Sequence, residues 1–205
     1  PSEFLAVKLR APTLPAAPGN PKVASAPAAS PAPEQAPLPA LVIKPQLLQN
    51  PTLRDEDGNG LPDGWYRSTR ESGFVEKLAE ESGRFLRIRV ETPGESVILQ
   101  QLQPLPADNG PITVAAKVRW ADIVRGEQGY MSGAVQMMFA DDKGKKVGDY
   151  LSVGTFTGSS SGWQSLGKSF PRPAGATKFR IQLALYSVKG GALDAAWVPA
   201  AAGDT

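Results

Sequence analysis

Apolar and polar residues alternate with a period of two along most of the chain after residue 45. Leu86, Ile88 and Val90 alternate with Arg87 and Arg89. The same pattern recurs over residues 114–120, 135–139 and 179–185. A period of two is typical of strands that bury one face and expose the other. Helical periodicity is short and local, so the pattern predicts an all-β domain.

Turn-forming residues separate these segments. Thr92-Pro93-Gly94 and Asp108-Asn109-Gly110 are two of the runs rich in glycine, proline and asparagine or aspartate that end one strand before the next begins. About ten short strands at this spacing form an antiparallel β-sandwich, and the length favours a jelly roll over a seven-stranded immunoglobulin domain. We therefore predict a jelly-roll sandwich over residues 46–205.

Composition changes sharply near residue 45. Residues 1–45 hold 11 of the 20 prolines and 11 alanines, but a single glycine and a single aromatic residue. Such a sequence buries too little apolar surface to offset its ordering entropy, and its prolines favour polyproline II. We predict an extended arm over residues 1–45, which is either a linker or a segment that lies on a partner protein. Its apolar residues would anchor it to such a partner: Phe4, Leu5, Val7, Leu9, Leu41, Val42 and Ile43.

The chain lacks histidine and cysteine. This excludes Ser-His-Asp triads, cysteine nucleophiles, and metal sites built on imidazole or thiolate. The formal net charge of +2 does not favour a nucleic-acid partner. No carboxylates lie in a strand pattern typical of glycoside hydrolysis. We therefore predict a protein that is not an enzyme and does not bind nucleic acid.

Apolar runs in the chain are shorter than the roughly 20 residues that cross a bilayer. Residues 1–10 also lack the basic start and apolar core of a signal peptide. We therefore expect no transmembrane segment in this chain and any export signal or anchor upstream of it.

Residues 55–63 fit the pattern D-x-D-x-N-G-x-x-D. Ca²⁺ takes oxygen ligands from alternate positions of such a loop, and the glycine at its sixth position allows a sharp turn. Position 12, which is a bidentate Glu in an EF-hand, is Tyr66 here. The loop predicts a structural Ca²⁺ site, with an Asp/Gly-rich surface turn as the alternative. The candidate ligands are Asp55, Asp57, Asn59, Asp63 and the carbonyl of Leu61.

The loop resembles the calcium loops of thrombospondin type 3 and dockerin repeats, down to Gly60-Leu61-Pro62-Asp63-Gly64-Trp65. The order of several further pieces resembles that in bacterial jelly-roll carbohydrate-binding modules. These pieces are residues 50–53, 64–65, 83–90, 97–101, 112–120, 162–164, 170–183 and 191–194. The resemblance covers nearly all of the predicted domain and implies a jelly-roll fold.

The resemblance also implies roles for single residues. A calcium ion in that family commonly ties the first strand region to the last strand through an Asp, which is Asp194 here. The two residues after it, Ala195 and Ala196, depart from the family's pattern. The positions of Trp65 and Trp163 are core positions in the family.

Sugar binding in such modules uses aromatic rings and polar side chains on an exposed sheet face. The residues that alternate away from the predicted core are the candidates for a sugar or partner site. They are Lys117, Arg119, Gln136, Arg180, Gln182 and Tyr186. Alternatively, they form a solvated sheet face, or a basic patch for an anionic polysaccharide or a protein neighbour.

Two functions are compatible with these observations. The first is a non-catalytic carbohydrate-binding module that acts outside the cytoplasm, in the periplasm, at the cell surface or after secretion. The second is an accessory subunit of a large multi-protein assembly, soluble or membrane-bound, in which the arm holds partner subunits and sugar binding is lost. Deletion of residues 1–45 separates them, because a module would still bind glycan and a subunit would leave its complex.

Overall fold

The computed structural model describes residues 46–68 and 73–203. The arm predicted over residues 1–45, with its anchors from Phe4 to Ile43, lies outside the described residues. The described part of the chain forms strands and turns, without any helix that could cross a membrane. Its strands are β1 (Tyr66–Arg67), β2 (Phe74–Glu80), β3 (Gly83–Val90), β4 (Val97–Pro104), β5 (Ile112–Val124), β6 (Gly133–Ala140), β7 (Lys146–Phe156), β8 (Gln164–Phe170), β9 (Lys178–Leu185), β10 (Gly190–Trp197) and β11 (Ala200–Ala202).

These strands form two sheets. One sheet has five strands in the order β1-β4-β9-β6-β7, and the other has the order β11-β5-β10-β3-β2, with β8 paired to β5. The strand pairs are antiparallel. The prediction of an antiparallel β-sandwich is confirmed.

The core lies between the two sheets and follows the alternation in the sequence. Ile88 on β3 and Val118 on β5 come from the six-stranded sheet, and Met137 on β6 and Ile181 on β9 come from the five-stranded sheet. All four side chains are buried in one apolar cluster. Burial of each such side chain contributes about 1.5–3 kcal/mol to folding. The alternate residues of these strands therefore form the two outer faces of the sandwich.

Of the two tryptophans implied as core residues, one lies in the core. Trp65 is buried in the apolar cluster. Trp163 is half-buried on the outer face of the six-stranded sheet, where its ring meets Phe85 edge to face at 5.6 Å between ring centres. Its Nε1 donates a hydrogen bond to Glu80 Oε1 at 2.7 Å. The core prediction for Trp163 is wrong because the indole N–H has a charged partner on the outer face.

Candidate functional site

A row of polar side chains crosses the outer face of the five-stranded sheet. The strand register pairs Tyr66 with Gln100, Gln100 with Gln182, and Gln182 with Gln136. Directly paired residues share one face of a sheet. The row therefore runs over β1, β4, β9 and β6, and Ser152 extends it onto β7.

Hydrogen bonds connect the three glutamines of this row. Gln136 Nε2 donates to Gln182 Oε1 at 2.8 Å, and Gln182 Nε2 donates to Gln100 Oε1 at 2.9 Å. The Tyr186 hydroxyl donates to the same Gln182 Oε1 at 3.0 Å and also contacts Gln136 Nε2. These bonds leave the Gln136 carbonyl and the Gln100 amino group for other partners. The row is thus an ordered set of hydrogen-bonding groups that both donate and accept.

All four tyrosines of the chain lie at this face. Tyr66 begins the polar row, and the other three line a cleft of about 450 Å³ beside it. Tyr66, Tyr130 and Tyr150 are 41%, 67% and 54% exposed, which is high for aromatic residues of a packed sandwich. The cleft is lined by Ile98, Gly129, Tyr130, Ser132, Ala134, Gln136, Tyr150, Thr155, Gln182 and Tyr186. Among the described residues, this lining is aromatic, polar and apolar, without a charged side chain.

Loops at one end of the sheet position two of these tyrosines. Tyr186 follows the last residue of β9, and its backbone N–H donates to Ser132 O at 3.0 Å. Tyr130 belongs to the loop between β5 and β6, which is closed by a hydrogen bond from Gly126 N to Met131 O at 2.9 Å. The rings therefore lie at the same end of the central strands, next to the glutamine row.

The six residues predicted as one ligand site belong to two different surfaces. Gln136, Gln182, Tyr186 and Arg180 lie on the five-stranded sheet or directly after its β9. Lys117 and Arg119 lie on β5 of the six-stranded sheet. The structure therefore does not bring the six together. The sequence analysis did not select Tyr66, Gln100, Tyr130 and Tyr150 as site residues. For Tyr66, its alternation with the buried Trp65 was a signal that it lies on an outer face.

Arg119 belongs to a charged network on the outer face of the six-stranded sheet. Its guanidinium lies 4.6 Å from the ring centres of both Phe85 and Trp163. Arg119 Nε donates to Asp194 Oδ2 at 2.7 Å, and Nη1 donates to Glu80 Oε2 at 2.7 Å. Partial burial lowers the pKa of Arg119, but the hydrogen bonds to Asp194 and Glu80 outweigh this effect. The pKa of Arg119 is therefore raised. The contacts engage Arg119 within the protein.

Asp194 lies at the centre of this network, with only 3% of its surface exposed. Its carboxylate accepts hydrogen bonds from Arg87 Nε at 2.7 Å and Arg87 Nη2 at 2.9 Å, in addition to the one from Arg119. The hydrogen bonds that Arg87 donates to Asp194 raise the pKa of Arg87. Asp194 therefore balances two arginines, and among the described residues the carboxylates that converge on the loop are those of Asp55, Asp57 and Asp63.

The acidic loop brings three of its predicted ligands together. One carboxylate oxygen from each of Asp55, Asp57 and Asp63 lies within 4.8 Å of the others. Gly60, at the predicted turn position, has a φ of 93°, and its N–H donates to Asp55 Oδ2 at 3.0 Å. Asn59 directs its amino group to Asp57 Oδ2 at 2.9 Å. Converging carboxylates of this kind suit a hard cation such as Ca²⁺.

A lysine from the six-stranded sheet reaches the same loop. The Lys77 ammonium on β2 contacts Asp55 Oδ2, and this contact is the main reason that the pKa of Asp55 falls to about 2. Backbone N–H groups of Gly60 and Gly58 also contribute. A cation bound at Asp55 would therefore compete with the Lys77 ammonium.

A larger depression of about 990 Å³ lies beside the acidic loop. Its wall combines Arg54, Arg84 and Lys117 with Asp55 and Glu56. Its described lining has the aromatic residues Phe85 and Trp197 but no glutamine or asparagine. The combination of exposed aromatic rings with an ordered amide row occurs in the smaller cleft, which is therefore the candidate site.

Comparison with known proteins supports the fold. No protein-family model matches the chain, and no curated protein sequence does. Its structure is similar to the enzymatically active domain of tailspike protein 4 of bacteriophage CBA120, with a TM-score of 0.56 and 16% identity over 77% of this chain and 21% of that chain. The chain thus spans about a fifth of the length of that tailspike domain.

Two smaller structures are similar over most of their own lengths. One is TmCBM61 in complex with β-1,4-galactotriose, with a TM-score of 0.47 and 13% identity over 77% of this chain and 99% of that chain. The other is the CBM22-1 xylan-binding domain of Xyn10C from Paenibacillus barcinonensis, with a TM-score of 0.45 and 11% identity over 69% of this chain and 87% of that chain. At 16% identity, the similarity to the tailspike domain concerns the fold alone.

Proposed function

We propose that this protein is a non-catalytic carbohydrate-binding module, with its glycan along the outer face of the five-stranded sheet. The observation that carries the proposal is the meeting of all four tyrosines with the Gln100, Gln182 and Gln136 row on that face. Binding sites combine apolar and aromatic walls with a few ordered polar groups that fix the ligand's orientation. This face has both.

The chemistry of the two components matches the two kinds of surface on a sugar. The C–H face of a sugar ring is apolar and packs on an aromatic ring, whereas its hydroxyls both donate and accept hydrogen bonds. Glutamine amides also do both. The hydrogen bonds between Gln136, Gln182 and Gln100 hold these amides in one orientation, which reduces the entropy lost on binding.

The composition of the cleft supports binding without hydrolysis. Glycoside hydrolysis commonly requires a pair of carboxyl groups beside the scissile bond. Among residues 46–68 and 73–203, those that line the cleft include no aspartate or glutamate. Tyr186 and Gln182 are therefore proposed to position a glycan and not to cleave it.

Two further parts of the proposal rest on the sequence and the acidic loop. We propose that Asp55, Asp57 and Asp63 hold a structural Ca²⁺, with Asn59 and the Leu61 carbonyl as the remaining predicted ligands. We also propose that the protein acts outside the cytoplasm, at the cell surface or beyond, with a polysaccharide as its partner. The role as an accessory subunit depends on residues 1–45, which lie outside the described residues, and remains a prediction.

The proposal is tested by screening the full chain against a glycan array and measuring the affinity of each hit by calorimetry. We expect Gln182→Ala and Tyr186→Ala to weaken binding about tenfold or more, since each removes hydrogen bonds and Tyr186→Ala also removes a stacking surface. Gln164→Ala on β8 is the matched control and should bind as the wild type does. Glycan binding that both site variants leave unchanged would contradict this site, and no hit on the array would contradict the function.

A further inference from the structure

Arg180 lies beside the glutamine row and, unlike Arg87 and Arg119, makes no ion pair within the described residues. It precedes Gln182 by two residues on β9, so the two side chains share the outer face and their Cα atoms lie about 7 Å apart. The residues paired with it across the sheet are Leu102 on β4 and Met138 on β6. The cation therefore extends the row of amides, with apolar neighbours on both sides.

The guanidinium of Arg180 has no protein partner in residues 46–68 and 73–203. Its Nε is shielded from solvent and makes no hydrogen bond there. In contrast, Arg87 and Arg119 both donate to Asp194. A polar group that is removed from water without a hydrogen bond carries a desolvation cost, and such groups are rare in native proteins unless a ligand or function uses them.

The charge of the surrounding sheet is suited to an anion. Strands β1, β4, β6 and β9 contain Arg67, Lys178 and Arg180 but no aspartate or glutamate. The single acidic residue of the five-stranded sheet is Asp149 on the edge strand β7, where it is exposed. Lys178 already donates to the Asp142 carbonyl at 2.8 Å. An anionic group at Arg180 would therefore face a cation on a group of four strands that carry no carboxylate.

We infer that the glycan bound at this face is anionic, and that Arg180 pairs with a carboxylate or sulfate oxygen on it. The inference rests on the proposed function and deepens it, because it assigns the class of the glycan. The planar guanidinium can donate two parallel hydrogen bonds to such a group. The Gln136 carbonyl and the Gln100 amino group, which the row leaves for other partners, then bind hydroxyls of the adjoining sugar residue.

Calorimetry on the full chain tests whether the bound glycan is anionic, by measuring the affinity for matched pairs of charged and uncharged polymers. The carboxylate pairs are polygalacturonate, alginate and glucuronoxylan, each against its carboxyl-reduced form. The sulfate pair is chondroitin sulfate against its desulfated form. We expect at least one charged polymer to bind about tenfold or more tightly than its uncharged form, since hydrogen bonds to charged groups are the strong ones. Which pair shows the preference identifies the anion.

Variants of Arg180 connect that preference to one side chain. Arg180→Gln should abolish the preference, so that charged and uncharged polymers bind equally, whereas Arg180→Lys should keep part of it because the charge remains without the planar fork. Arg84→Gln, an exposed arginine on β3, is the control and should keep the full preference. Unchanged thermal melting of each variant establishes that it is folded.

The possible failures are distinguishable. Equal binding of charged and uncharged polymers would overturn the inference and leave carbohydrate binding intact. A charge preference that survives in Arg180→Gln would overturn the role of Arg180. Absence of binding to every charged and uncharged polymer would overturn the proposed function and this inference together.

Discussion

The Tyr186 hydroxyl donates to Gln182 Oε1 at 3.0 Å, and this bond determines which way the Gln182 amide faces. Because Oε1 is held on the Tyr186 side, Nε2 is directed to Gln100, where it donates at 2.9 Å. Gln136 Nε2 approaches the same Oε1 from the other strand at 2.8 Å. A residue from the loop after β9 thus orders three amides on three strands.

Substitution of Tyr186 by phenylalanine tests this ordering. Tyr186→Phe keeps the ring for stacking but removes the donor to Gln182, so we expect glycan affinity to fall by about two- to tenfold, the effect of one hydrogen bond of roughly 0.5–1.5 kcal/mol. Tyr186→Ala should cause a larger loss because the ring is removed too. Calorimetry with the best glycan from the array measures both. Equal affinities of Tyr186→Phe and the wild type would show that the hydroxyl does not order the site.

The buried charges of the other sheet lead to a prediction about stability. Asp194→Ala leaves Arg87 and Arg119 without their shared carboxylate, and because both arginines are partly exposed, loss of these charge-assisted hydrogen bonds costs about 1.5–3 kcal/mol. Urea unfolding of the variant and wild type measures this loss. Asp149→Ala, an exposed acid on β7, is the control and should change the free energy of unfolding by less than about 0.5 kcal/mol. A similarly small change for Asp194→Ala would show that the network does not stabilise the fold.

The hydrophobic pattern predicted the strands and their buried faces, because a period of two is a local property. Phe179 and Ile181 are buried in the core as their alternation with Arg180 and Gln182 indicates. The pattern did not predict which strands are neighbours. Gln182 hydrogen-bonds to Gln100 and Gln136, which are 82 and 46 residues away in the sequence.

The same limit applies to the predicted sites. Lys117 and Gln136 both alternate away from the core, and the sequence alone does not separate the two outer faces on which they lie. Asp194 resembles a metal ligand in the sequence because the arginines that balance it come from β3 and β5. The acidic loop was easier to predict, since Asp55, Asp57 and Asp63 converge within nine consecutive residues.

Calcium should stabilise the domain if the acidic loop binds it. At a free Ca²⁺ concentration about one hundred times Kd, binding adds about 2.7 kcal/mol to the free energy of unfolding. Differential scanning calorimetry with added Ca²⁺ or with chelator measures the shift in Tm. Asp57→Asn should reduce the shift, and Lys77→Met should increase Ca²⁺ affinity because it removes the competing ammonium at Asp55.

Two variants serve as comparisons for the calcium prediction. Asp149→Asn removes the same charge outside the loop and should keep the full calcium shift. Asp194→Asn should also keep it, because Asp194 pairs with arginines and not with the loop. A Tm that is the same in Ca²⁺ and in chelator would identify the loop as a surface turn closed by its own carboxylates and Lys77.

The pH dependence of stability should show the environment of Glu80. Hydrogen bonds from Ser82, Trp163 and Arg119 lower the pKa of Glu80 from 4.5 to about 2. In the unfolded chain the carboxylate regains its ordinary pKa, so between these two values the unfolded state binds more protons than the folded state. Stability from Glu80 is therefore complete above about pH 4.5 and is lost as the pH falls towards about 2.

Urea unfolding across this range should give a shallower pH dependence for Glu80→Gln than for the wild type, while Glu81→Gln, at its exposed neighbour, should match the wild type. Parallel curves for Glu80→Gln and the wild type would mean that Trp163 and Arg119 do not hold the carboxylate in its ionised form.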